Sequence, residues 1–86
     1  MMEYTADNYR TDAKEYRKNA MYVLASIFRK EKLLANPDIS QKDKDALQEG
    51  IRLLQKVYDE LIELESLMIK MANKVDGNCK ESLYEM

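Results

Sequence analysis

Apolar residues recur at steps of three and four along residues 7–35, which is the spacing of one face of an α-helix. Thr5 or Asp7 is the expected N-cap, because its side-chain oxygen can accept a free N–H of the first turn. The sequence therefore predicts a first helix over about 7–35. Its apolar positions are Tyr9, Ala13, Tyr16, Ala20, Val23, Leu24, Ile27, Phe28 and Leu34.

A second periodic segment covers residues 41–76, and its 3-4-3-4 spacing is a heptad a/d pattern. Ser40 is the expected N-cap, with Asp43 at the capping-box position. Gly77 stands where a helix C-terminal glycine is expected. The a/d stripe of this helix comprises Leu47, Gly50, Leu54, Val57, Leu61, Leu64, Met68, Met71 and Val75.

Asn36-Pro37 separates the two segments, and proline disfavours a helical conformation at the residue before it. Two long helices joined by so short a link are predicted to form an antiparallel hairpin. The expected fold is thus all-α, with residues 1–86 as one domain and residues 77–86 as a flexible or short-helical tail. Gly50 costs about 1 kcal/mol relative to alanine inside a helix, which suggests a close approach of the two helices.

Apolar side chains of the second helix cover roughly half of its circumference at 100° per residue. One partner helix cannot cover so wide an arc, so we expect self-association into a four-helix bundle dimer or a higher oligomer. A monomer whose tail covers the gap is the alternative. The expected interface residues are Ile51, Leu53, Tyr58, Ile62, Leu67, Ile69 and Met71.

Composition excludes several functional classes. The net charge is −2 with both signs evenly mixed, which disfavours binding to nucleic acid. The chain has no histidine and only two glycines, so neither a histidine general base nor a glycine-rich phosphate loop is present. We therefore expect no enzyme, no cofactor and no metal site.

A single cysteine, Cys79, cannot form an internal disulfide, which favours a reducing compartment. The first residues lack the pattern of a signal peptide, and no apolar run is long enough to span a membrane. The expectation is a cytoplasmic protein without membrane association.

Tyr9-Arg10 recurs one heptad later as Tyr16-Arg17, and this repeat marks the candidate binding surface. In a purely structural interpretation, the rings pack toward the second helix and the arginines cover apolar edges. In a functional one, aromatic rings beside guanidinium groups stack a base and bind a phosphate. The candidate ligand- or partner-binding residues are Tyr9, Arg10, Lys14, Tyr16, Arg17, Lys18, Tyr22 and Arg29.

Two functions from different classes follow. The first is a non-catalytic homo-oligomer that acts on another protein as an adaptor, regulator or inhibitor, with exposed Tyr22 among cations as a contact residue. The alternative is an oligomer that binds a small anionic or nucleotide-like ligand in a pocket lined by Tyr, Arg and Lys between protomers.

Overall fold

The computed structural model describes residues 4–77. Over this range the chain forms two α-helices and no strand, and the helices pack together as a hairpin. Helix α1 is Ala6–Leu34 and helix α2 is Gln41–Asp76. The expected all-α hairpin is confirmed, and only the bounds of α1 differ from the expected 7–35, by one residue at each end. The predicted tail beyond Gly77, including Cys79, lies outside the described residues.

Local hydrogen bonds at the N-terminus of α1 explain why the helix begins at Ala6. Thr5 is the N-cap, and its Oγ1 accepts a hydrogen bond from the Asn8 backbone N–H at 3.2 Å. A reciprocal hydrogen bond completes the capping box, since Asn8 Oδ1 accepts from the Thr5 backbone N–H at 3.0 Å. Of the two predicted N-caps, the structure therefore uses Thr5.

The connection between the helices is held by side chains that accept backbone hydrogen bonds. Asn36 Oδ1 accepts from the Asp38 N–H at 3.0 Å, and Ser40 Oγ accepts from the Asp43 N–H at 3.2 Å. Ser40 is thus the N-cap of α2, as predicted. At the other end, Gly77 follows the helix directly and has a φ of −97°, so it takes the C-cap position without a left-handed conformation.

The buried core of the hairpin is made mostly of small residues. Four of the five buried hydrophobic residues in the described range are alanines. Three of them recur every seven residues along α1, so this face of α1 is narrow and permits a close approach of α2. The buried residues are Ala6, Ala13, Ala20, Ile27 and Ala72. Burying alanines stabilises little per residue, because the hydrophobic free energy scales with the apolar area removed from water.

Helix α2 is turned relative to its predicted a/d stripe. Val57, Leu64 and Val75 belong to that stripe but are exposed, whereas Glu65 is half-buried and Ala72 is buried. Two ion pairs, Arg17 with Glu65 and Arg10 with Asp76, join α2 to α1 along one edge of the hairpin in this orientation. The less exposed positions of α2 are Lys44, Leu47, Ile51, Leu54, Tyr58, Leu61, Glu65, Met68 and Ala72, together with Gly50, Ile62 and Met71.

Gly50 does not mark a close approach of the two backbones, and that expectation is wrong. A Cβ built on Gly50 would have the Lys30 side chain as its nearest neighbour, with Cε at 3.5 Å and Cδ at 3.6 Å. These are ordinary van der Waals distances to a flexible side chain. The structure gives no steric reason for glycine at this position.

Candidate functional site

The contact line between α1 and α2 separates two long faces of the hairpin. At 100° per residue, Ile69 and Asn73 lie on one side of the contact residues Leu61 and Ala72. Leu53 lies on the opposite side. The first face carries a groove with basic residues, and the second carries an exposed row of aliphatic side chains.

The basic groove is the first candidate binding surface. It has a volume of about 460 Å³ and lies where the first half of α1 passes the last third of α2. All four of its cations come from α1, and Ala13, Ile69 and Ala72 supply apolar surface between the helices. It is lined by Arg10, Ala13, Lys14, Arg17, Lys18, Glu65, Ile69, Ala72 and Asn73.

Acidic residues of α2 already partner the two arginines of the basic groove. Arg17 Nη1 lies 3.3 Å from Glu65 Oε1, and Arg10 Nη2 pairs with the Asp76 carboxylate. The hydrogen bond from Arg10 to Asp76 and the attraction between their charges raise the pKa of the Arg10 guanidinium.

The lysines of the groove are less engaged than the arginines. Among residues 4–77, neither Lys14 nor Lys18 has a carboxylate within ion-pair distance. Two ammonium groups are left to present positive charge at the groove.

The tyrosines of the Tyr-Arg repeat do not line the groove with their neighbouring arginines. Tyr9 and Tyr16 are half-buried, and consecutive residues lie about 100° apart on a helix. Tyr4 packs edge-on against Tyr9, with ring centroids 4.7 Å apart and planes inclined by 71°. The Tyr4 hydroxyl donates to the Asp12 carboxylate, and this hydrogen bond raises the pKa of Tyr4. Within one protomer, the aromatic and cationic parts of the proposed ligand pocket are thus separated.

Tyr22 lies on the outer side of α1, away from α2. Its exposed fraction is 63 %, the highest among the exposed large hydrophobic residues of the described chain. Arg29 follows it by seven residues on the same side, and its Nη2 donates to Ser26 Oγ at 3.1 Å. Of the eight predicted binding residues, Arg10, Lys14, Arg17 and Lys18 share the groove, while Tyr22 and Arg29 form a separate outer surface.

The seven residues predicted for the oligomer interface are divided among three places. Ile51 and Tyr58 are half-buried along the contact with α1, and Tyr58 also lines a second groove of about 470 Å³ opposite Phe28. Ile62 and Ile69 lie on the face of the basic groove. The other three, Leu53, Leu67 and Met71, lie on the opposite face.

That opposite face carries a set of exposed aliphatic side chains, here called the aliphatic row. Their exposed fractions lie between 37 % and 50 %. The row comprises Leu53, Val57, Leu64, Leu67 and Val75. Sequence reasoning assigned Val57, Leu64 and Val75 to the a/d stripe at the centre of the arc and so missed them as surface residues. The width of the apolar arc of α2 indicated that α1 would leave part of it exposed. It did not indicate which edge of the arc would be the exposed one.

Metal-binding groups, membrane-spanning segments and similarity to known proteins also bear on the function of the chain. Within residues 4–77, no group of three or more metal-binding side chains is placed to hold an ion. Neither α1 nor α2 contains a segment long and apolar enough to cross a bilayer. Comparisons with protein-family models, curated proteins and solved structures found no match to this chain.

Proposed function

We propose that this chain is a non-catalytic helical interaction protein that works as a homo-oligomer. The observation that carries the proposal is the aliphatic row, which stays exposed although the hairpin buries little beyond four alanines and Ile27. Exposed aliphatic side chains aligned along one helix face favour an interaction site there, because removing apolar surface from water is favourable by about 25 cal/mol per Å². A second copy of the chain is the simplest partner that could bury the aliphatic row, since it carries an identical row.

Light scattering combined with analytical ultracentrifugation tests the oligomer. The chain has a mass of 10.1 kDa, so an oligomer has at least twice this mass. Leu64→Lys places a charge in the row and should lower the average mass. Leu33→Lys is the matched control, because Leu33 is also exposed but lies on the outer side of α1. A wild-type chain that stays a single copy at high concentration contradicts the proposal.

We also propose that the oligomer acts on another protein, as an adaptor, regulator or inhibitor, in the cytoplasm. Two surfaces outside the aliphatic row support this second role. The basic groove suits an acidic amphipathic segment, because lysines flank an apolar floor of Ala13, Ile69 and Ala72. The outer surface around Tyr22 is the other candidate, since an exposed tyrosine among cations suits a protein contact.

Paired variants distinguish the two surfaces once a target has been co-purified. Lys14→Glu reverses a charge in the groove, whereas Tyr22→Ala removes the exposed ring from the outer surface. If the groove binds the target, Lys14→Glu weakens binding at least tenfold and Tyr22→Ala leaves it unchanged. The opposite result assigns the target to the outer surface. If both variants bind the target as tightly as the wild-type chain does, both assignments are contradicted.

The alternative function, sequestration of a small anionic or nucleotide-like ligand, has one supporting observation. Four cations of α1 line a groove large enough for such a ligand. However, Arg10 and Arg17 are paired with acids of α2, and neither Tyr9 nor Tyr16 lines the groove. A second protomer would have to supply the aromatic rings. Calorimetry with a panel of nucleotides tests the idea, and no binding at tens of micromolar counts against it.

A further inference from the structure

The aliphatic row is part of a longer helical seam along α2. Four of its five members, all except Val75, fall within a set of positions spaced 4-3-4-3-4-3-4, which is the spacing of a surface that packs along another helix. Small residues occupy the N-terminal end of this seam and large ones the C-terminal end. The seam positions are Ala46, Gly50, Leu53, Val57, Glu60, Leu64, Leu67 and Met71. Glu60 is the one charged member.

Charges alternate in sign along the outer border of this seam. Glu49, Lys56, Glu63 and Lys70 follow one another at seven-residue intervals, and all four are exposed. In a helix pair, the residues that flank the apolar seam choose the orientation and register of the partner through opposite-charge contacts. The alternating charges can therefore select the direction and the register of a second helix that packs on α2.

We infer that α2 of a second copy packs antiparallel against α2 along this seam, with the two helices overlapping from end to end. The inference rests on the proposed homo-oligomer and adds the face, the direction and the register. Full overlap places Gln41 opposite Asp76 of the copy, because these residues bound the helix. The two-fold axis then passes between Tyr58 and Asp59.

This register matches small residues to large ones across the seam. Leu53 lies opposite Leu64 of the copy, and the two-fold axis repeats that contact. Gly50 lies opposite Leu67 of the copy, and Ala46 lies opposite its Met71. An abrupt change from small to large side chains along one helix is accommodated when the partner runs in the opposite direction. A parallel copy in register would place small residues opposite small ones and leave a gap there.

The same register also pairs opposite charges at every border position. Lys56 lies beside Glu63 of the copy and Glu49 beside its Lys70, and symmetry repeats both contacts. Displacing the copy by one heptad in either direction instead brings Glu63 beside Glu63 or Lys56 beside Lys56. In a parallel pair, the border charges of one α2 would instead lie beside the other edge of the second α2. That edge packs on the α1 of its own chain and carries no matching charges at these positions. Helix overlap, side-chain size and the border charges thus favour this arrangement, in which Glu60 lies opposite Val57 of the copy.

This pairing leaves the other surfaces of the molecule available. The seam lies on the face opposite the basic groove, so each dimer presents two grooves. Tyr22, on the outer side of α1, is also left uncovered. Self-association and target binding therefore use separate faces of the same hairpin.

A charge swap tests the pairing by analytical ultracentrifugation of the full chain. Lys56→Glu places like charges side by side twice in each dimer, and the dissociation constant should rise at least tenfold. Adding Glu63→Lys to that variant restores the opposite signs and should recover most of the loss. Lys32→Glu is the matched control, because it makes the same charge change at an exposed position of α1 outside the seam and should leave the dissociation constant unchanged. Failure of the second substitution to restore association overturns the inference.

Disulfide trapping gives an independent readout of direction. Leu53→Cys and Leu64→Cys chains, each also carrying Cys79→Ser, are mixed and oxidised. The antiparallel register predicts a disulfide between the two different variants and none between two Leu53→Cys chains. A disulfide between two Leu53→Cys chains indicates a parallel pair and overturns the inference, although the proposed homo-oligomer survives. A wild-type chain that remains a single copy contradicts both.

Discussion

Arg17 Nη1 lies 3.3 Å from Glu65 Oε1, and this ion pair joins α1 to α2. The Glu65 side chain is only 18 % exposed, whereas that of Arg17 is 57 % exposed. A carboxylate so close to the helix contact needs a partner, because removing it from water without one is costly. The pair therefore favours the orientation of α2 that places Glu65 next to α1.

The first prediction concerns the coupling between these two side chains. Arg17→Ala leaves Glu65 without its cation and should destabilise the fold by about 1 kcal/mol. A double-mutant cycle with Glu65→Gln, read from urea unfolding at one fixed chain concentration, should give a coupling of about 0.5–1 kcal/mol. The exposed pair of Arg52 and Glu49 is the control and should give a smaller coupling. Equal coupling in the two pairs would show that burial at Glu65 has no effect.

The sequence predicted the elements of the fold because their signals are local. Thr5 and Ser40 cap the helices within three residues of the groups they bind, and heptad spacing reports a helix directly. The rotation of α2 could not be predicted in this way. Both edges of its apolar arc carry large aliphatic residues, so hydrophobicity does not choose between them. The edge that faces α1 makes contacts with residues far away in the sequence, such as that of Glu65 with Arg17, 48 positions apart.

The candidate site was predictable only in part, for the same reason. Four of the predicted binding residues share the groove, since residues three and four apart lie on one side of a helix. The other half of the groove comes from α2 and includes Ile69 and Asn73. Their position depends on the rotation of α2, which the sequence of α1 does not contain.

Gly50 provides the second prediction. Gly50→Ala should stabilise the chain by about 1 kcal/mol, because alanine has the higher helix propensity and its Cβ would meet Lys30 at ordinary contact distances. Thermal unfolding followed by circular dichroism measures the effect. Ala46→Gly, four residues earlier on the same helix, is the reciprocal control and should destabilise by a similar amount. Loss of stability in Gly50→Ala would mean that the position does require glycine.

The third prediction concerns pH. The hydrogen bond and charge attraction from Arg52 lower the pKa of Glu49 relative to an ordinary glutamate. Because the folded pKa is lower than the unfolded one, the pair stabilises the fold above the unfolded value. This contribution is lost as the pH falls through the folded pKa.

Carbon-detected NMR titration of the Glu49 carboxyl measures this effect directly. In the Arg52→Gln variant, the midpoint should move up toward that of a free glutamate. Both residues are exposed, so salt should reduce the difference between the two proteins. An identical midpoint in the two proteins would show that the ion pair does not persist in solution.

The fourth prediction tests the narrow face of α1. Ala20 is fully buried in the row of alanines that allows the helices to approach, so Ala20→Leu adds three heavy atoms where there is no free volume. The variant should lose about 1–3 kcal/mol of stability, because the helices must separate or the new side chain must take a strained rotamer. Ala25→Leu is the matched control on the exposed side of α1 and should change stability by less than about 0.5 kcal/mol. If chemical denaturation shows equal effects in the two variants, α1 does not contact α2 through its alanines, and the rotation of α2 that exposes the aliphatic row is wrong as well.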